Sequence, residues 1–148
     1  MTGKAVRTIV PVRPPFTDER GEILNLLDAP FTSAAVITSV KGAVRANHYH
    51  KTDYHYCWLQ RGRMLYAHRP AGSTAPPEQW TIEAGQLFYT PPMYEHVMVF
   101  LEDSVMLAFA RNSREMANYE ADTVRIPPLS VRPALSSTAP KKIERGDG

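Results

Sequence analysis

Four of the chain's five histidines fall in two short stretches. The first reads His48-Tyr49-His50-Lys51-Thr52-Asp53-Tyr54-His55, and the second places His96 after Tyr94-Glu95. In an extended strand side chains alternate between faces, so His48 and His50 point the same way. Two imidazoles so spaced can clamp a metal, and after a tight turn His55 can return on the neighbouring strand opposite them. His96 opens a later strand and can supply a fourth nitrogen. Neutral imidazole suits Zn above all, with Fe, Ni or Mn as alternatives, and such a ligand set leaves a position open for substrate. A divalent metal on neutral ligands keeps its full charge, so it would polarise a bound carbonyl or acidify a bound water. Without a metal, an imidazole titrates near neutrality and can take up a proton instead. The two roles exclude each other at His48.

Other residues can serve the same pocket. Arg45 is a candidate clamp for a phosphate or carboxylate, which guanidinium binds in a bidentate way. Tyr49, Tyr54, Tyr66, Tyr89 and Tyr94 crowd the same region, and Tyr54 and Tyr66 are the candidate proton donors to an enolate. Cys57 shares the face of His55 and reads as a small buried residue. His68 reads as pocket wall or surface. Apolar residues expected to line the interior are Val44, Ala46, Leu59, Met64, Leu87, Met98, Phe100, Leu107 and Phe109, the greasy lining that a small-molecule site requires. No Ser-His-Asp arrangement, glycine-rich phosphate loop or Cys-x-x-Cys pair is present, so covalent-hydrolase, nucleotide-fold and zinc-ribbon readings drop out.

The elements that must position these residues are strands. Thirteen prolines and eight glycines cut the 148 residues into short runs rich in Val, Ile, Tyr, Phe and Leu, which argues against long helices. The pattern predicts strands at Glu22–Leu27, Ala35–Val40, Val44–Tyr49, Tyr54–Gln60, Met64–His68, Gln79–Ile82, Gln86–Thr90, His96–Leu101 and Val105–Arg111. Turns are predicted at Asp18–Gly21, Lys41-Gly42, Arg61–Arg63 and Glu102–Ser104, an exposed loop at Pro70–Glu78 and a short helix at Arg114–Tyr119. Short strands at this spacing read as an all-β sandwich or barrel. One domain is expected over residues 6–129, with 130–148 a disordered tail or linker.

Composition narrows the function classes. A net charge of +2 and a single basic cluster, Lys141, Lys142 and Arg145, argue against nucleic acid as a partner. The lone Cys57 forbids an internal disulfide, and neither a signal-like apolar run nor a bilayer-spanning segment is seen. The expectation is a cytoplasmic protein with a small-molecule substrate and no membrane partner.

The spacing resembles that of the cupin superfamily. Gly42, His48, His50, His55 and Gly62 stand at the intervals of the first cupin motif, with His55 where glutamate is usual. Gly85, Pro91 and His96 match the second motif, with Met93 replacing its glycine and Phe100 its asparagine. A narrower resemblance is to nucleotide-sugar epimerases and 3,4-ketoisomerases. Asp18-Glu19-Arg20-Gly21 is similar to their opening, and His48-Tyr49-His50-Lys51 to their His-Ala-His-Lys. Arg45-Ala46-Asn47-His48 is similar to their Arg-Gly-x-His, with Ala46 for glycine, and Tyr119–Arg125 to their close. Asn47–His55 also resembles the zinc-binding cupin half of capsular-polysaccharide enzymes.

These resemblances imply a single-domain jelly-roll β-barrel and a homodimer. They also imply a divalent metal, zinc first, on His48, His50, His55 and His96, and an isomerase or epimerase of sugar-nucleotide type. Histidine-rich cupins also resemble iron dioxygenases and the zinc cupins that rearrange an activated ester in hydrazine biosynthesis, for which the tail would lead to a partner enzyme. A ligand-sensing module with a structural metal is the non-enzymatic alternative.

Overall fold

The computed structural model describes residues 6–133. Two five-stranded sheets face each other. One has the order β1 (Ile9–Val10), β9 (Leu87–Thr90), β6 (His55–Arg61), β11 (Ser104–Ala110), β4 (Ser33–Ser39). The other has the order β12 (Thr123–Arg125), β5 (Val44–His50), β10 (Tyr94–Phe100), β7 (Arg63–Pro70), β8 (Glu78–Glu83). Strands β2 (Phe16–Asp18) and β3 (Gly21–Ile23) form a separate ribbon, and α1 (Met116–Asp122) precedes β12. Every sheet pairing is antiparallel, and the links β4–β5, β5–β6, β6–β7, β8–β9 and β10–β11 each cross from one sheet to the other. That winding is the jelly-roll sandwich, so the expected all-β class is the one found. Among the described residues no helix is long and apolar enough to cross a membrane.

The main core lies between the sheets. Leu59, Met64, Tyr66, Ile82, Phe88, Phe100, Met106 and Ala108 close it, all essentially inaccessible to water. Alternation along β11 buries Ser104, Met106, Ala108 and Ala110, so Leu107 and Phe109 are turned outward, against the expectation that the bulkier pair lines the interior. Phe109 packs instead on Phe31, ring centroids 5.0 Å apart, because the outer face of this sheet is itself partly covered by the chain before β4. Leu87 is buried on that outer side too, beside Val10, Leu26 and Leu27.

One tight turn requires its glycine. Gly62 sits at φ 103 between β6 and β7, and a Cβ there would lie 2.7 Å from the Asp103 carbonyl oxygen and closer still to the Ser104 hydroxyl. Only glycine meets both conditions.

The end of the expected domain is tied to the sheet it follows. Leu129 is buried with Ala67 and Val97, and Gln79 exchanges two 2.8 Å hydrogen bonds with the backbone of Arg132. The expected strand Glu22–Leu27 shortens to β3, the expected helix shifts to Met116–Asp122, and β1, β2 and β12 were not anticipated. Most of the expected tail lies outside the described residues.

Candidate functional site

The site begins with an irregularity in β5. His96 pairs with His48 and Val97 pairs with Ala46, leaving Asn47 as an extra residue in the ladder. Ala46 and Asn47 adopt φ 76 and φ 58, so two successive residues are left-handed. A bulge of this kind reverses which side chains face inward. His48 and His50 stay inside, but Arg45 now turns to the interior face while Val44 is 56% exposed, the reverse of the regular alternation. The Asn47 side-chain oxygen accepts from the Leu129 N–H at 2.9 Å, and its carbonyl accepts from Ile126, so the segment after β12 staples the bulge.

Three imidazoles converge as a result. The ligand nitrogens of His48, His50 and His96 lie within 4.8 Å of one another, with all three side chains buried. His96 reaches the group from β10, directly across from His48. Its Nδ1 donates to the Tyr94 carbonyl at 2.9 Å, which leaves Nε2 as the lone pair. His50 Nδ1 bonds the Thr123 hydroxyl at 3.2 Å, and its Nε2 is buried without a partner. His48 Nδ1 stands 3.5 Å from Arg125 Nη1.

Burial, and secondarily repulsion from His50 and the nearby arginines, lowers the pKa of His48 to about 3. Burial and then His55 lower His50 to about 4. Burial and then His48 push His96 well below the usual imidazole range. All three are neutral at physiological pH, as metal ligands or proton acceptors must be.

His55 does not join that group. It comes from β6 in the facing sheet rather than from the neighbouring strand, so it approaches His50 from across the sandwich, centroids 4.8 Å apart. Its Nε2 lies 2.9 Å from the buried Asp53 carboxylate. Next to a carboxylate Nε2 carries the proton and donates it, leaving Nδ1 as the basic nitrogen. Burial works to raise the pKa of Asp53, but the bonds from His55 and from the Asn112 N–H outweigh it and hold the carboxyl below its ordinary value.

A cavity of about 140 Å³ opens beside these groups, lined on its polar side by Arg45, His48, His55, His96, Arg114 and Tyr119. Tyr119 stands on α1, its ring 5.4 Å from His50 and 6.4 Å from His48, with the Arg114 guanidinium 5.2 Å over the ring. Burial raises its pKa against the opposing pull of Arg114 and Arg125, so the phenol keeps its proton. Arg45 is anchored by a 2.8 Å bond to the Ser39 hydroxyl and a 3.0 Å bond to the Thr38 carbonyl. Cys57 lies in the wall, and burial pushes its thiol up to about 12, so it stays protonated.

The two tyrosines expected to donate protons stand elsewhere. Tyr54 faces away from the cavity, in a cluster with Tyr56 and Tyr89, and donates to the Pro30 carbonyl at 2.8 Å. Alternation from the inward His55 dictates that orientation. Tyr66 is inside the sandwich, but its hydroxyl is spent on His68 Nδ1 at 2.9 Å and Thr90 Oγ1 at 2.7 Å. His68 is wholly buried rather than at the surface. Sequence reasoning missed Tyr119 and Arg114 as cavity residues; Tyr119 was signalled only by the resemblance of the Tyr119–Arg125 stretch to the close of the ketoisomerases, and Arg114 by nothing.

No protein-family model matches the sequence, and no curated protein does. Solved structures do match the fold. A double mutant of the QdtA 3,4-ketoisomerase from Thermoanaerobacterium thermosaccharolyticum, in complex with TDP, is similar at TM-score 0.63 and 18% identity, over 82% of this chain and 89% of that one. The dTDP-4-dehydrorhamnose 3,5-epimerase from Sulfolobus tokodaii is similar at TM-score 0.57 and 21% identity, over 70% of this chain and 69% of that one. The capsular polysaccharide assembling protein CapF from Staphylococcus aureus is similar at TM-score 0.58 and 18% identity, over 78% of this chain but only 34% of CapF. At these identities the likeness concerns the fold, which is the cupin-like double sheet expected from the two motifs.

Proposed function

We propose that this chain is a metal-dependent isomerase or epimerase acting on a small carbonyl substrate of sugar-nucleotide type. One observation carries the reading: three neutral, buried imidazoles converge, and two of them, His48 and His96, line a cavity that also presents an Asp-held histidine, a protonated phenol and two guanidinium groups. The names of the solved neighbours, a sugar ketoisomerase and a sugar epimerase, support the substrate class.

The donor set fits a divalent metal, zinc first. His50 Nε2 is buried and unpaired, and His96 Nε2 is freed by the bond its other nitrogen makes, the usual outer-shell arrangement of a ligating histidine. His48, His50 and His96 would hold the ion, which when bound supplies Lewis-acid polarisation of a carbonyl oxygen.

The chain's own residues do the rest. His55 Nδ1 takes the proton from the carbon beside the carbonyl, and Asp53 stabilises the resulting imidazolium. The Tyr119 phenol returns a proton to the enolate. Arg114 and Arg45 hold the anionic portion of the substrate at the rim. The cavity is smaller than the about 300 Å³ at which ligand pockets usually begin. It therefore takes the reacting ring, and the nucleotide lies at the mouth.

The test joins elemental analysis of protein purified without a metal-affinity tag to deuterium wash-in from D2O, followed by NMR on TDP-4-keto-6-deoxyglucose. Wild type should carry about one equivalent of zinc, as a single mononuclear site requires, and should exchange the proton beside the carbonyl. His48→Ala should lose both metal and exchange, whereas His55→Ala should keep the metal and lose exchange. Metal lost in both variants would return His55 to the ligand set and overturn its role as base. Exchange by a metal-free wild type would overturn the metal and leave proton transfer to the histidines alone. Iron in place of zinc, without exchange, would overturn the isomerase reading in favour of oxygen chemistry.

A further inference from the structure

Helix α1 carries Tyr119, yet it buries none of its own residues and has no side-chain cap at its N-terminus. Apolar packing therefore does not hold it in place. A single carboxylate at its last residue does much of that work. Asp122 Oδ1 accepts from the Thr52 N–H at 3.0 Å and from the Thr52 hydroxyl at 2.8 Å. Its Oδ2 accepts from the Asp53 N–H at 3.0 Å and from the Asn112 amide at 3.5 Å. The Asp122 carbonyl accepts from the Lys51 N–H at 2.9 Å. Asn112 closes the ring by donating its backbone N–H to Asp53 Oδ1 and its side chain to Thr52 Oγ1, both at 2.9 Å.

Three segments meet at this carboxylate: the β5–β6 loop, the chain leaving β11, and α1. Each carries part of the cavity's chemistry. The loop carries Asp53, whose carboxylate holds His55. The chain after β11 carries Asn112, which holds that same carboxylate, and leads through Arg114 to Tyr119. We infer that Asp122 is a positioning residue that fixes two catalytic groups with one side chain, aiming Asp53 at His55 from one side of the cavity and seating Tyr119 over His48 and His50 from the other. The inference rests on the roles proposed above for His55 and Tyr119.

A charged acceptor suits this position because it faces only donors. Asp122→Asn keeps the shape but turns an amide toward one of those donor pairs, so the clasp opens without a cavity forming. The control is Asp103→Asn. Asp103 also accepts a loop N–H, from Lys41 at 2.8 Å, but stands outside the site.

Three readouts on full-length zinc-loaded protein test the inference: the downfield NMR resonance of the His55 Nε2 proton, kcat and KM for deuterium exchange, and thermal midpoint. Asp122→Asn should lose or move the His55 resonance and lower kcat about 10- to 100-fold with KM little changed, the range typical of lost outer-shell support. Asp53→Asn should do the same, and the double variant should be no worse than either alone. Thr52→Val, which removes one donor, should show the same changes at smaller amplitude. Asp103→Asn should lower only the midpoint. An Asp122→Asn protein with an intact resonance and unchanged kcat, differing from wild type only in its midpoint, would reduce Asp122 to a structural cap and overturn the inference. If wild type shows no exchange at all, the proposed reaction fails, and the resonance alone still decides whether Asp122 aims Asp53 at His55.

Discussion

Acid should unfold the metal-free protein well above the pH at which carboxylates titrate. His48 and His50 are held at about 3 and about 4 in the folded chain, chiefly by burial. In the unfolded chain they return to the ordinary imidazole value of about 6.5. Between those limits the unfolded state binds protons that the folded state refuses. The stability of the neutral pair is therefore complete above about pH 6.5 and drains away as pH falls toward 4, with the opposite sign to a salt-bridged histidine. At pH 5 each imidazole costs the folded state about 2 kcal/mol relative to pH 8. His96 moves in the same direction.

Against a total stability of about 5–15 kcal/mol, two such losses are large. At about 3 °C per kcal/mol for a chain of this size, the thermal midpoint should drop by about 12 °C or more. The assay is differential scanning calorimetry of EDTA-stripped protein at half-unit steps from pH 8 to pH 5, and the double variant His48→Gln/His50→Gln should give a flatter profile. A midpoint that moves by less than about 3 °C over that span would mean that the imidazoles are solvated or already paired, and the account of the site as a set of bare lone pairs would fail. Saturating zinc should raise the midpoint at pH 8 and lose that advantage as acid competes for the same nitrogens.

Two substitutions by glycine should stabilise the chain. Ala46 and Met93 hold φ 76 and φ 62, and Met93 is 47% exposed, so glycine relieves left-handed backbone at small loss of packing. Ala46→Gly and Met93→Gly should each gain about 0.5–1 kcal/mol in urea melts, and Ala35→Gly, in the regular strand β4, should lose a similar amount. Gly62→Ala should lose about 3 kcal/mol or more, or fail to express as soluble protein, because its Cβ meets the Asp103 carbonyl. Tyr54→Phe should leave deuterium exchange within a factor of about two, whereas Tyr119→Phe should lower kcat about 100-fold, since only the second phenol reaches the cavity. Tyr66→Phe should cost about 1–3 kcal/mol of stability by leaving His68 Nδ1 and Thr90 without their partner, which calorimetry would read.

Where the sequence was legible, it was through period and punctuation. The short β-branched and aromatic runs between glycines and prolines marked nine of the twelve strands, and alternation put His48 and His50 on one face. What it hid was backbone irregularity and long-range pairing. Nothing in a regular period indicates that Asn47 is an extra residue, so the period places Val44 inward, and Arg45 is legible as a clamp by its chemistry but not by its place in the alternation. The departures from the cupin pattern held the clue. Ala46 and Met93 replace glycines of the resembled motifs, and both lie at positive φ, so the backbone demand survives the loss of the residue that meets it most easily. Asp53 stands only two residues before His55, in the β5–β6 loop, and no regular period indicates that its carboxylate turns inward to hold that imidazole. Beyond the resemblance of its stretch, nothing local marked Tyr119: a half-buried tyrosine on a polar helix of seven residues joins the cavity only when the chain after β11 folds back over β5.

The pairing of β12 with β5 joins residues far apart in sequence, His50 and Thr123 being separated by 73 positions. On a ribosome the histidine-bearing strand emerges early and waits for most of the domain to be made. Until then β5 has an open edge and its bulge lacks the staple supplied by Ile126 and Leu129. A nascent chain stalled before α1 would expose the imidazoles without the tyrosine or the clasp. Competence for chemistry is thus acquired in a single late event, and a chain interrupted during synthesis should be bound by chaperones through that strand edge rather than released as a weakly active fragment.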